Sequence, residues 1–386
     1  MKDYLQATIF EQIDRAHSLK EFITPVKYPE LTGLAERCSN VLNEQIDLMK
    51  AISEEVRHRE EEDLRDLFRE VRLAASEIAL VEYFGIPALH NQTPEAKFLN
   101  KIVFQIHKEI ALPILPPAVC CVSTDYYCSV FATNVIFVPI GESKFLLHLS
   151  DLYHEIGHGV LESMKEEPKL KPVADSYQLA YSRITDYYND LIRRKKRDVG
   201  PPNIPMFIER IHSLWRSWLG EIFCDLFGLY TLGPAYAWSH LHLAAKRSED
   251  IYKLAILEEQ SHPADEARMR TLLCGLENLG FGEDSKRIEA KWSEVAVYFG
   301  KPQIEYQYAY PQQILKEVSE IVLKGIKDSG FALANPKVLN GTDHPPESVR
   351  LLLNDAWNKF WATGPGQFRD WEKGKLEETR KALESQ

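Results

Sequence analysis

The chain has 386 residues, enough for a substantial buried core and for two or three domains. Its 46 Lys+Arg against 57 Asp+Glu give a formal net charge of −11, which argues against a general nucleic-acid binder, because phosphate affinity comes from clustered cations. Hydrophobic residues at 45% and charged residues at 27% exclude a mainly disordered chain.

The first 22 residues carry charges throughout and lack the apolar run of a signal peptide. No stretch approaches the ~20 apolar residues that span a bilayer. The cysteines (38, 120, 121, 128, 224 and 274) form no CxxC pair and show no regular spacing. Adjacent Cys120 and Cys121 read as small buried hydrophobes in a reducing compartment. The expectation is a cytoplasmic protein with no membrane span.

Residues 1–95 read as helical. From Ile52 to Ala79, apolar Val56, Leu64, Leu67, Phe68, Val71 and Leu73 recur mostly at spacings of three and four, which predicts one amphipathic helix. Phe84 to Pro87 (FGIP) should stop it near Tyr83. Pro113, Pro116 and Pro117 then break the pattern. Ala118–Val122, Asn134–Ile140 and Lys144–Leu149 are short and apolar or β-branched, predicting a small sheet of two to four strands. Gly141-Glu142-Ser143 fits a tight link between the last two.

From Ser150 the pattern is helical again. Helices are expected at Asp151–Met164, Ala174–Arg194, Met206–Tyr230, Pro311–Lys327, Glu347–Trp361 and from Phe368 onward. The Ala174 helix runs into five cations, Arg193 to Arg197. They would suit a nucleic acid or a targeting signal; at a helix C-terminus they also complement the dipole. The fold class is mainly α (α+β), with an N-terminal helical region 1–95, a core 96–280 and a C-terminal helical region 281–386.

The chemistry-bearing constellation lies after the small sheet. His154-Glu155-Ile156-Gly157-His158 is HExxH. Histidines at i and i+4 share a helical face and reach one metal ion. Glu155 stands about 100° round the helix, where it can take the proton of a metal-activated water without ligating the ion. Flanking Leu149, Leu152, Ile156, Val160 and Leu161 would bury the helix on one side. Two histidines and a glutamate are costly there unless hydrogen-bonded or metal-bound. A strand just ahead of this helix could hold an extended peptide by strand addition.

A catalytic zinc needs a third protein ligand and one open position. The histidine completion HExxHxxGxxH is absent. A glutamate completion, ExxxD, occurs at Glu221 and Asp225 in an otherwise apolar, aromatic stretch. Glu221 would be the third ligand, and Asp225 would accept the second ring N–H of a ligating histidine, His154 being the candidate. Partnership with a buried arginine or with N-terminal amides is the other use for such acids. Cys224, between them, reads as a buried inert thiol. Tyr153, Tyr230 and Tyr236 lie near the motifs and are candidates for stabilising an oxyanion.

HExxH followed by ExxxD resembles the signature of the gluzincin metallopeptidases. Ser261-His262-Pro263, with Arg268 five residues on, is similar to the [ST]HPxxxxR segment of the gluzincin group containing the CAAX prenyl endopeptidases and their heat-shock membrane relatives. The resemblance covers about Asn134 to Leu273. It implies a zincin-like metallopeptidase core binding Zn²⁺ through His154, His158 and Glu221, with Glu155 as general base. Those relatives are embedded in membranes, so prenylated or membrane substrates are not implied here. HPxxxxR recurs at His344-Pro345 and Arg350. Both copies fit helix starts, with proline in the first turn and arginine about two turns in. His262 or His344 could instead point at the metal cleft, donating to an oxyanion or filling the open zinc position. The expected function is a zinc-dependent peptidase acting on protein or peptide substrates. The alternative is a catalytically silent zincin-fold binding protein.

Overall fold

The structure is a computed structural model. It describes the chain except residues 24–28, 61–62, 92, 124–125, 131–132, 198–202, 248–249, 255–261, 304, 340–347 and 385–386. Helices dominate, with one three-stranded sheet. The chain divides into two units, residues 1–104 with 115–143 and residues 105–114 with 144–386. The sequence pattern placed boundaries near 95 and 280; contacts instead group the sheet with the N-terminal helices and the last hundred residues with the metal-site helices.

In the first unit, α1 (Lys2–Ile23), α2 (Thr32–His58) and α3 (Arg65–Leu80) share a core. It includes Leu5, Ile9, Leu34, Leu42, Met49, Val71 and Ile78. The single helix expected over Ile52–Ala79 is two. Arg59 is extended (φ −85°, ψ 153°) and α3 starts six residues later. The stop at Tyr83 does not occur. A π-turn at Val81–Gly85 carries α3 into α4 (Ile86–His90), which includes Pro87.

After α5 (Pro94–Glu109), which passes through the division at residue 104, come β1 (Ala118–Cys120), β2 (Cys128–Val130) and β3 (Val135–Phe137). The order is β1-β3-β2, with β1 parallel and β2 antiparallel to β3, and Ile136 opposite both Val119 and Ser129. Asn100 covers the outer edge of β1, donating to Val119 O (2.8 Å) and accepting from Val119 N–H (2.9 Å). β2 was not expected from the sequence. The expected strand Lys144–Leu149 and its tight link are 3₁₀ turns, Ile140–Lys144 and Leu146–His148. The segment entering the metal helix therefore offers no strand edge, which removes the strand-addition idea at that position.

The second unit holds α6 (Asp151–Ser163), α7 (Lys171–Arg197), α8 (Asn203–Leu232), α9 (Pro234–Lys246), α10 (Asp265–Leu279), α11 (Gly282–Ala296), α12 (Tyr306–Ala309), α13 (Gln312–Asp328), α14 (Pro336–Leu339), α15 (Val349–Ala362) and α16 (Pro365–Glu384). Helix α8 is the axle. Every residue from Ile222 to Leu232 is buried, and α6, α7, α9, α10 and α13 all pack on it. Its apolar residues run all round, as a fully surrounded helix requires. Gly233, at φ +97°, turns α8 into α9.

Candidate metal centre

The site forms where α6 packs on α8. A Cβ at residue 157 would stand 3.0 Å from Cys224 Cα and 3.3 Å from its Cβ, so glycine in HEIGH lets the two backbones approach this closely. The approach brings His154 and His158, one turn apart on α6, against Glu221 on α8. His154 Nε2 lies 3.4 Å from Glu221 Oε2, and His158 Nε2 lies 3.6 Å from Oε1. The two imidazoles are 4.8 Å apart at 82°. An ion bonded tetrahedrally at about 2.0–2.1 Å needs ligand atoms roughly 3.4 Å apart. Glu221 Oε2 is buried and has no hydrogen-bond partner among the described residues, a deficit that a cation would make good. Two nitrogens and a carboxylate fit a divalent ion such as zinc.

Behind His154 stands Asp225. His154 Nδ1 is 3.1 Å from Asp225 Oδ1 and 3.0 Å from the Tyr236 hydroxyl oxygen. The Tyr236 hydroxyl donates to the same Oδ1 (2.7 Å). Arg268, from α10, grips the carboxylate with two bonds, Nε to Oδ2 (2.7 Å) and Nη2 to Oδ1 (2.6 Å). All three groups are buried. Tyr236 reaches this place because residue 228 is glycine, and a Cβ there would stand 2.6 Å from the Tyr236 ring. The arrangement holds the Nδ1 proton of His154 toward Asp225 and turns Nε2 toward Glu221 and His158.

The electrostatics follow from burial against close charges. Burial disfavours a charged Asp225, but the Arg268 guanidinium outweighs it and holds the carboxyl well below its usual range. Burial likewise opposes protonation of His154, yet hydrogen bonds to Asp225 and Glu221 raise it to about 10. His158 is pushed down to about 4, by burial and then by the charge on His154. Glu221 falls to about 2; burial opposes this, and hydrogen bonding and charge from His154 drive it. Without metal, a charged His154 would lie between the two carboxylates, Nδ1 toward Asp225 and Nε2 toward Glu221. A cation ligated there would compete with the His154 proton.

The other sequence candidates are placed as follows. Glu155 is buried on α6 beside His154. His262 is exposed, and its Nε2 stands 3.4 Å from Glu221 Oε2, so it belongs to the cluster. His344 lies outside the described residues. None of the three tyrosines faces outward: Tyr153 is fully buried, the Tyr230 hydroxyl donates to Ser319 O (2.7 Å), and Tyr236 serves Asp225. Cys224 is less remote from the centre than its buried setting suggested. Its Sγ and one nitrogen from each of His154 and His158 all lie within 4.8 Å of one another. Burial, then the charges of Glu221 and Asp225, push that thiol's pKa up in the metal-free chain.

The sequence offered a buried arginine as one use for these acids, and Asp225 has one, but it did not single out Arg268 for the part and did not offer Tyr236. The arginine of the first HPxxxxR was read as part of a helix start. Pro263 in fact precedes α10 by two residues and Arg268 falls in its first turn, not two turns in. A buried aspartate inside an apolar helix was the available signal, since it demands a buried cation from elsewhere. Among the described residues, no helix is long and apolar enough to cross a membrane. Comparisons with protein-family models, curated proteins and solved structures give no match for this chain.

Proposed function

We propose that the chain is a zinc-dependent metallopeptidase with a zincin-like core, in which His154, His158 and Glu221 hold the ion and Glu155 is the general base. The observation that carries this reading is the meeting of two histidine Nε2 atoms with the Glu221 carboxylate, whose buried Oε2 lacks a hydrogen-bond partner among the described residues. Bound zinc would polarise a substrate carbonyl and lower the pKa of a water to about 7. Glu155 accepts the proton of that attacking water and passes it to the leaving amine. Asp225 fixes the His154 tautomer, and Arg268 and Tyr236 hold Asp225 in place. His262, beside Glu221 and open to solvent, donates to the oxygen that gains charge on the substrate. The substrates are proteins or peptides. Six cysteines with no CxxC pair and no regular spacing suit a reducing, cytoplasmic setting.

The test joins zinc analysis to cleavage of a broad peptide library by wild type and Glu155→Gln. The reading expects about one zinc per chain in both proteins and cleavage only in wild type. Bound zinc with no cleavage that depends on Glu155 would favour a silent binding protein.

A further inference from the structure

The metal centre leaves the five cations at the end of α7 unexplained. Between residues 193 and 210 the sequence has six cations against two acids, Asp198 and Glu209, in a chain whose net charge is −11. Arg193, Arg194, Lys196 and Arg197 are exposed. Among the described residues, Asp190 is shared between Arg193 (3.8 Å) and Arg194 (3.0 Å), and Lys196 pairs with Glu209 (2.8 Å), which ties the end of α7 to the start of α8. Such exposed pairs hold the cations only loosely.

The start of α8 adds a second, different feature. Its first turn has no acid; Met206 is 71% exposed and Ile204, Pro205 and Phe207 are half-buried. An open cleft of about 740 Å³ runs between the helices past Arg193, Lys196 and His212, with Asp186 and Glu209 also on its walls. It gives a headgroup room to enter between the two helices. Complementing the helix dipole would account for a cation or two at a C-terminus, but not for an apolar side chain presented beside five.

We propose that the α7–α8 tip docks on an anionic lipid surface, its cations against the headgroups and Met206 at the acyl boundary. Phosphate attracts the cations on nucleic acid as well as on lipid. The exposed apolar turn decides for lipid, because an apolar side chain gains burial at a bilayer interface and nothing along a phosphodiester backbone. The attachment is peripheral, as none of the described helices can cross a bilayer.

The experiment is flotation of the full-length chain with vesicles of phosphatidylserine and phosphatidylcholine in roughly equal parts, against phosphatidylcholine alone. Binding is expected only to the mixed vesicles and should weaken with salt. Substituting Arg193→Glu, Arg194→Glu and Lys196→Glu should lower it by roughly a hundred-fold or more, and Met206→Ser by several-fold. A control, Lys171→Glu, Lys286→Glu and Lys381→Glu, makes the same change of net charge at exposed sites elsewhere and should retain most binding. No binding by wild type, equal loss in the control, or tighter binding to single-stranded RNA than to the vesicles would each overturn the proposal. Circular dichroism of each variant separates lost binding from lost folding.

Discussion

The two HPxxxxR segments share a pattern and differ in what their arginines meet. Arg268, in the first turn of α10, takes hold of a buried carboxylate, Asp225, with a bidentate pair. Arg350, the second residue of α15, spends its guanidinium on backbone, donating to Ala332 O (2.7 Å) and Leu333 O (3.3 Å). The α15 N-terminus is satisfied by Glu109, which accepts from Val349 N–H (2.7 Å) and Arg350 N–H (3.0 Å). One segment's arginine holds the carboxylate that orients His154, and the other's pins a loop. A motif of this kind therefore specifies a helix start and an arginine; the partner it reaches decides whether the segment is chemical or architectural.

The largest expected difference is in stability. Arg268→Gln leaves Asp225 charged, buried and without its cation, and should cost about 3–5 kcal/mol. Arg350→Gln removes hydrogen bonds to two carbonyls and should cost about 1–2 kcal/mol. Urea unfolding of both variants checks this, and equal losses would erase the distinction. Arg268→Lys keeps the charge without the planar fork and should fall between wild type and Arg268→Gln.

The histidines come next. His262→Ala is expected to lower peptide turnover by about 10²–10³ with zinc content unchanged, and His344→Ala, compared beside it, tests whether the second copy also serves the reaction. Steady-state kinetics at matched zinc loading reads this, and unchanged turnover in both variants would remove His262 from the reaction. A smaller effect is expected at Asp225. Asp225→Asn should weaken zinc affinity about 10–100-fold in competition with a chelator, and a substitution of Glu109 should leave that affinity alone.

A further effect concerns pH. In the zinc-free chain His154 is raised to about 10 from an ordinary 6.5, opposed by burial and driven by Asp225 and Glu221. A raised pKa contributes stability that is fully present below about pH 6.5 and is lost as pH climbs toward 10. Chelator-treated protein should thus become easier to unfold over that window. Flat stability across it would mean that His154 is not held charged between the carboxylates.

Much of the site was readable because its parts are local. HExxH and ExxxD each lie within one helical turn, and i, i+4 spacing sets their faces without knowledge of the fold. Arg268 and Tyr236 were not readable because they reach Asp225 from other helices, across 43 and 11 residues. The helices of the second unit expected from the sequence fell close to their places, since α7 and α13 carry long apolar periodicity and α8 a long apolar run. The short elements fared worse. Lys144–Leu149 is apolar enough for a strand but folds as 3₁₀ turn, its Leu146 N–H bonded to Glu372 (2.7 Å), 226 residues away. Cys128–Val130 has too little apolar character to read as a strand and is one because β3 pairs with it.

The account rests on which side chain completes the metal set. Zinc per chain measured side by side in wild type, Glu221→Gln and Cys224→Ser tests it directly. About one zinc in wild type and Cys224→Ser, with most of it lost in Glu221→Gln, is the predicted result. Zinc kept by Glu221→Gln and lost by Cys224→Ser, or absent from wild type after reconstitution, would contradict it.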